Sequence, residues 1–347
     1  MVANPALIID RGTVQAILGI DDCIDTIEHA FRQYGVGKAI TPGVLGTHVD
    51  GGGFHVKTAG LVSNSPARSM FAAKVNANFP GNPTSRGLPT IQGVIALFDA
   101  VDGQVLAILD SIEITSIRTA AATAVAARYL ARDDAATVTI CGCGEQGRSQ
   151  LRALARVRPI HHVWAFDIDH EKAERFAHEL HGQLDAHITA VREIGAATRD
   201  AAIWVTCTPS RRWFVGREHV APGTFIAAVG ADNAEKQEIS PDLLASSTVV
   251  VDVLDQCAAI GDLHHALALG VMCVDDVHAE LADIVVGRRR GRADAEEIIV
   301  FDSTGTALQD VAAATLVYDR AVAAGAGVSI ALGATAPVPD VQAMSRQ

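Results

Sequence analysis

The sequence predicts an α/β fold in two parts, an α+β part that comes first and a parallel-sheet part that follows. Three observations predict it. A chain of 347 residues is long for one small domain. Its first third carries alternating apolar and polar runs, the pattern of half-buried strands. From about residue 133, near-continuous apolar runs alternate with helical patterns, as in a parallel sheet covered on both faces.

Composition narrows the function classes. Hydrophobic residues make up 49% and charged residues 20%, enough for a large core. A formal charge of -12 argues against nucleic acid as a partner. The one dense basic patch, "GRRRGR" (287–292), has no aromatic residue among its arginines and reads as a solvated loop. The start, "MVANPALIIDRG", shows no signal-peptide pattern, and no window holds the ~20 uncharged apolar residues of a membrane span. Cysteines at 23, 141, 143, 207, 257 and 273 form neither C-x-x-C pairs nor a dense framework. They read as reduced thiols of a cytoplasmic protein, and no metal site is expected.

Taken in order, "DDCIDTIEHAFRQYGVG" (21–37) reads as a helix. "GGGFHVKTAGL" (51–61) alternates Phe54, Val56 and Thr58 with His55 and Lys57. "FAAKVNANFPGNP" (71–83) alternates Phe71, Ala73, Val75, Ala77 and Phe79 with Ala72, Lys74, Asn76 and Asn78. By pattern alone, that polar face either meets solvent or lines a pocket. "TIQGVIALFDAVDGQVLAILD" (90–110) is a hairpin turning at Asp102-Gly103. Asp110 and Glu113 then read as capping or contact residues. "TSIRTAAATAVAARYLA" (115–131) is an alanine-rich helix with Arg118 in its first turn. The helix dipole disfavours a cation there. A substrate carboxylate or a cofactor pyrophosphate would supply the compensating anion.

The second part opens with the strand "ATVTIC" and then Gly142-Cys143-Gly144-Glu145-Gln146-Gly147. This is G-x-G-x-x-G between a strand and the helical pattern "RSQLRALARV". A second strand, "HHVWAFDI" (161–168), places Asp167 twenty residues after Gly147. That combination is the fingerprint of a Rossmann dinucleotide site. The glycines permit a tight turn, and the helix N-terminus offers free N–H groups to a pyrophosphate. Asp167 would accept from both ribose hydroxyls and repel a 2′-phosphate, so NAD is expected over NADP. The runs 200–210, 223–232 and 247–255 continue the sheet. Ligands bind such sheets at the carboxyl ends of strands, which puts Thr206, Thr208, Gly230 and Asp232 at that edge, and Val229 is expected among the cofactor contacts. The dinucleotide domain is thus expected over 131–304. Residues 1–130 and 305–347 would form the other body. The helix at 307–325 is expected to pack back onto it with no further strand, and the tail after about 333 to be loosely ordered.

Five segments then carry a resemblance. "KVNANFPGNP" with "GLPT" (74–90), "SIRTAAATAVAARYLA" (116–131), "GCGEQG" (142–147), "VGADNAEKQEI" (229–239) and "VFDSTGTALQD" (300–310) occur in the order of the ornithine cyclodeaminase/mu-crystallin family, which the chain resembles over nearly its whole length. The resemblance implies a dimer-forming first domain and a substrate cleft between the domains. It implies that Lys74 and Arg118 hold a substrate carboxylate, with Lys74 also near proton transfer, and that Asp232 is the acid/base at nitrogen. Thr90, Thr119, Glu145, Gln146, Asp167, Thr206, Lys236 and Ser303 would touch the cofactor, and Thr304 would lie beside the substrate. The chain departs from the family at Val44, near a usual arginine, and at His55, where cyclodeaminases place a substrate-binding acid. Lys57 would restore the lost charge, and a diamino acid would lack a partner for its second ammonium. An NAD-dependent amino or imino acid oxidoreductase is expected first. A cyclodeaminase and a non-catalytic NAD or small-ligand binder are the alternatives.

Overall fold

The structure, a computed structural model, describes residues 5–62, 69–195 and 198–332. The chain begins with β1 (Ala6–Ile9), α1 (Arg11–Ile17), α2 (Ile20–Gly35), β2 (Ala39–Val49), β3 (Gly52–Leu61) and β4 (Met70–Asn78). It continues through α3 (Asn82–Arg86), β5 (Ile91–Asp99), β6 (Val105–Asp110) and α4 (Ile112–Leu130). Then come β7 (Thr137–Cys141), α5 (Glu145–Leu154), β8 (His162–Phe166), α6 (His170–Leu180), β9 (His187–Val191), β10 (Ile203–Thr206) and β11 (Arg211–Val215). After these follow β12 (Phe225–Ala228), β13 (Gln237–Ile239), α7 (Pro241–Ala245), β14 (Thr248–Val251), α8 (Leu254–Ile260) and α9 (Asp262–Ala268). The last elements are β15 (Ala279–Glu280), α10 (Leu281–Val285), β16 (Ile299–Asp302), α11 (Ala307–Ala324) and β17 (Val328–Ile330).

The strands form two main sheets. The first is seven-stranded, in the order β17-β1-β6-β5-β4-β3-β2. It is antiparallel apart from the β1–β6 pair. The hairpin between β5 and β6 turns at Gly103, whose φ of 78° is a conformation open to glycine. The second is eight-stranded and parallel, in the order β15-β14-β16-β12-β10-β7-β8-β9. Its central strands β10, β12 and β16 are buried along their whole length, as the apolar runs require. Strand order reverses beside β7, between β8 on one side and β10 on the other. A crevice opens at such a reversal, outside the carboxyl ends of the strands.

One helix, α4, links the two sheets, and α11 covers the first. The alanine-rich α4 is buried over most of its length and packs against α2, α5, α11, β5 and β12. Its small side chains let neighbours approach from both sides. It begins at Ile112, which puts Arg118 in its second turn and not its first, so the dipole argument for a missing anion weakens. The expected return of the C-terminal helix is seen in α11, which packs on β3, β4 and α2. A strand does follow it: β17 pairs antiparallel with β1. Residues 333–347, where a loose tail was expected, lie outside the described residues. The basic run is not simply solvated. Arg288 donates to the Gly35 carbonyl and pairs with Asp283, and Arg292 donates to the carbonyls of Leu130 and Glu297.

Candidate active site

The polar face of β4 turns inward. Lys74 is 3% exposed, while its neighbour Val75, on the apolar face, is 39% exposed. Strand register builds the site wall: Lys57 stands directly opposite Lys74, and His55 opposite Asn76. Two lysines facing each other repel, so each needs compensation. The Lys57 ammonium donates to the carbonyls of Thr304 at 2.9 Å and Gly305 at 2.7 Å. Lys74 pairs with Asp310 Oδ2 at 2.7 Å, and the other oxygen of that carboxylate lies 2.9 Å from Arg118 Nε. Arg118 Nη1 donates to Gln309 Oε1 at 2.5 Å. Lys57, Lys74 and Arg118 border an open cleft between the two sheets. Its walls include His55, Lys57, Lys74 and Asn76 from the first sheet, Arg118 and Thr119 from α4, and Val229, Asp232, Ser303 and Thr304 from the second.

Electrostatics differ across this cleft. Burial and the Arg118 charge push Lys74 down to about 7, against the pull of Asp310. Burial, aided by Arg118, also lowers Lys57. Burial would raise Asp310, but the charges of Arg118 and Lys74 hold it below the ordinary carboxylate range. Asp232 follows β12 and keeps its side chain 45% exposed toward the cleft. Burial would raise it, yet Lys236, whose Nζ lies 2.7 Å from its Oδ1, holds it below the usual value. One wall thus presents cations that can bind a carboxylate, and the other an ionised carboxylate that can accept a proton or stabilise a cationic nitrogen.

The dinucleotide turn lies at the reversal of strand order. Gly142 has φ of 104°, and a Cβ on it would stand 2.8 Å from the Cys207 carbonyl oxygen. A Cβ on Gly147 would meet the Gly142 oxygen at 2.1 Å. Nothing lies within 4 Å of a Cβ built on Gly144, the residue before α5, and no side chain caps that helix. Glu145 and Gln146 begin α5, and Gln146 Nε2 contacts the Ser116 carbonyl at 3.5 Å. Asp167 follows β8; its two oxygens accept from the backbone N–H groups of Cys143 and Asp169, each at 3.0 Å. A carboxylate has about four acceptor sites, so it can still take ribose hydroxyls. These features fit a dinucleotide: an open glycine, an uncapped helix start and an acid held over the turn.

Of the other expected contacts, Thr206 ends β10, and Thr90 precedes β5 with its carbonyl accepting from Phe79 N–H. Thr208 is committed elsewhere: its N–H and hydroxyl both donate to Glu238 Oε1 at 2.6 Å. Glu238 Oε2 accepts from Gly230 N–H at 2.8 Å, and it approaches so closely that a Cβ on Gly230 would stand 2.3 Å from it. Glu238 therefore ties the loops after β10 and β12 together at the ligand edge. Asp252, at the end of β14, does the same for 303–305, accepting from Gly305 N–H and from the hydroxyls of Ser303 and Thr304. Gln256 adds bonds to Thr304 Oγ1 and the Gly305 carbonyl. Sequence reasoning missed Glu238, Asp252, Gln256, Gln309 and Asp310. Glu238, Gln309 and Asp310 lie in segments that carry the resemblance. Asp252 ends an apolar strand, where an acid is itself a signal.

Comparison with known proteins agrees with this architecture. The model of the ornithine cyclodeaminase/mu-crystallin family matches residues 6–325. An alanine dehydrogenase of Archaeoglobus fulgidus is 36% identical over 324 residues, 93% of this chain and 98% of that one. The structure of an archaeal alanine dehydrogenase dimer with bound NAD superposes with a TM-score of 0.88 at 36% identity, covering 94% of this chain and 98% of that one. The Thermococcus litoralis Delta(1)-pyrroline-2-carboxylate reductase, in complex with NADH and L-proline, also gives 0.88 at 31% identity, covering 93% of this chain and all of the other. The chain belongs to the ornithine cyclodeaminase/mu-crystallin family.

Proposed function

We propose that this protein is an NAD-dependent oxidoreductase acting on the C–N bond of a small amino or imino acid. One observation carries the reading. Lys74 and Arg118 face Asp232 across a cleft that meets the dinucleotide edge of the parallel sheet. The resemblance to proteins that bind NAD, and to one that binds NADH with proline, supports it.

Bound NAD(H) supplies the hydride donor or acceptor at its nicotinamide ring. The chain's own residues do the rest. Gly142, Gly144 and Gly147 shape the turn for the pyrophosphate, and Asp167 holds the ribose. Thr90, Thr119, Glu145, Gln146, Thr206, Val229 and Ser303 complete that cradle. Thr208, Gly230 and Lys236 support it through Glu238 and Asp232. Lys74 and Arg118 hold the α-carboxylate, and Lys57 and Thr304 close the site around it. Asp232 exchanges the proton at the substrate nitrogen, since a carboxylate kept ionised can both accept that proton and stabilise a protonated imine. Among the described residues lining the cleft, Asp232 is the one carboxylate, which leaves a second substrate ammonium without a partner. This favours a mono-amino substrate over the diamino acids of a cyclodeaminase.

The organisation we propose has residues 131–304 as the cofactor domain and 1–130 with 305–347 as the substrate and dimerisation domain. A second copy of the chain is the proposed partner. Leu45, Val56, Val75 and Val94 stand in one cross-strand row on the outer face of the first sheet. Leu45, Val75 and Val94 in that row are 64%, 39% and 45% exposed. An apolar row of that kind is what a dimer interface covers. We place the enzyme in the cytoplasm, where its six free cysteines remain thiols. No helix among the described residues is long and apolar enough to cross a membrane. The test is spectrophotometric: NADH is offered with a panel of α-keto acids plus ammonia or methylamine, and with cyclic imino acids. Net NADH consumption with at least one supports the reading. No consumption across the panel rejects it.

A further inference from the structure

Three cations crowd the substrate wall, and two of them are compensated by a residue that does not line the cleft. Lys57 is balanced by two carbonyl dipoles. Lys74 and Arg118 share one acid, Asp310, which is fully buried and lies in the first turn of α11. An anion in that turn is stabilised by the helix dipole, and Thr306 caps the same helix through a bond from Leu308 N–H. The neighbouring Gln309 accepts from Arg118 Nη1. A guanidinium has five N–H donors in a fixed plane. Nε lies 2.9 Å from Asp310 Oδ1 in an ion pair without hydrogen-bond alignment, and the bond from Nη1 to Gln309 sets the guanidinium plane. Nη2 makes no hydrogen bond among the described residues, and Arg118 borders the cleft. Gly305 keeps this geometry possible, because a Cβ there would stand 2.7 Å from Nη1.

We propose that Asp310 is a positioning residue for the substrate carboxylate: its two oxygens fix Lys74 and Arg118 side by side as a preformed two-cation clamp. Asp310 does not touch substrate. It acts by keeping two like charges together in a site where, unpaired, they would separate or shed a proton. The charged groups that act on Lys74 are Lys57 from β3, Arg118 from α4 and Asp310 from α11, while His55 and Asp232 line the same cleft and Lys236 pairs with Asp232. Of these, Asp310 is the anion in direct contact with it. Lys74 is already pushed down to about 7 with that anion present. Removing the anion lowers it further. Carboxylate binding needs the cation, so it weakens as pH rises through the Lys74 pKa, and loss of Asp310 moves that limb to lower pH.

This inference rests on the oxidoreductase reading, and the experiment separates the two. Asp310→Asn and Asp310→Glu are compared with the unsubstituted enzyme in NADH-dependent reduction of whichever keto or imino acid is turned over. For Asp310→Asn, kcat/KM falls by about 100-fold, the range for truncating one partner of a buried charge pair. Most of the loss lies in KM, NADH affinity is unchanged, and the alkaline limb of the kcat/KM profile moves to lower pH. Asp310→Glu keeps the charge, so its limb returns toward that of the unsubstituted enzyme while KM stays raised. A structural residue alone would not move the limb. If Asp310→Asn is insoluble, Asp310→Glu decides: an unchanged KM and limb overturn the proposal. A soluble Asp310→Asn with an unmoved limb and a KM changed less than about 3-fold overturns it too. Absence of turnover in the unsubstituted enzyme rejects the oxidoreductase reading. Binding of pyruvate to the enzyme–NADH complex, followed by NADH fluorescence across pH, then tests the clamp alone: equal affinity and equal pH dependence in both proteins overturn it.

Discussion

The dinucleotide turn and the proposed carboxylate clamp would solve the problem of binding an anion in opposite ways. The turn uses backbone: glycines, a helix start and one acid, all within residues 142–167. The clamp uses charged side chains drawn from β3, β4, α4 and α11, with Asp310 lying 236 residues after Lys74 (310 − 74). Backbone demands are local, so they leave a local signature. Charge compensation is met in three dimensions and leaves a signature only where each partner sits in a segment of its own. The two solutions should also fail differently. Damage to the turn affects cofactor binding and stability, and damage to the cleft affects substrate and turnover.

The largest expected effect is in the cleft. Asp232→Asn keeps the shape and removes proton exchange, so turnover falls by about 10²–10⁴-fold, the range for a lost general acid or base. NADH binding, followed by fluorescence, stays intact. Near-normal turnover would move the proton to Lys74.

The turn supplies the next contrast. Gly147→Ala drives a methyl into the Gly142 carbonyl, so it destabilises the fold by ~1–3 kcal/mol, read as a lower Tm. Gly144→Ala meets open space and costs less than about 1 kcal/mol, yet it weakens NADH binding. Equal melting temperatures for the two variants would contradict the packing described at Gly147.

Lys57→Met removes a cation and frees the Thr304 and Gly305 carbonyls. KM for the amino or imino acid should rise about 10-fold, from loss of charge-assisted bonds of ~1.5–3 kcal/mol, with NADH affinity unchanged. An unaltered KM places Lys57 outside substrate binding. Asp167 affects the choice between cofactors. A like-charge contact with a 2′-phosphate costs on the order of 1–3 kcal/mol, so NAD binds better than NADP and Asp167→Ser narrows the gap. Equal affinity for both cofactors in the unsubstituted protein contradicts this role.

Much of this architecture was legible in the sequence. The parallel sheet announced itself through apolar runs ending in small or polar residues, and the G-x-G-x-x-G turn through its spacing to Asp167. Alternation in 71–83 located the strand, but the pattern could not say which face turned inward, because a buried lysine looks like an exposed one until its counter-ion is known. Arg118 shows the same limit: the helix-dipole argument for an anion beside it fails because it lies in the second turn, and the anion it does meet, Asp310, comes from the far end of the chain. Glu238 and Asp252 escaped notice because their partners, backbone N–H groups and hydroxyls of other loops, carry no charge that asks for an acid. The short β17 was missed because three exposed residues pairing at a sheet edge carry almost no periodic signal.

The central claim is that hydride passes between the bound cofactor and the α-carbon of an amino or imino acid, with net change of redox state. Isotope transfer tests it most directly. The enzyme is incubated with NADH carrying deuterium at the reactive nicotinamide carbon and the best keto acid–amine pair or cyclic imine, and the product is analysed by mass spectrometry and NMR. The account predicts one deuterium at the α-carbon of the amino acid product for each NADH oxidised. Deuterium that stays in the cofactor while ammonia is released from a diamino acid would contradict it.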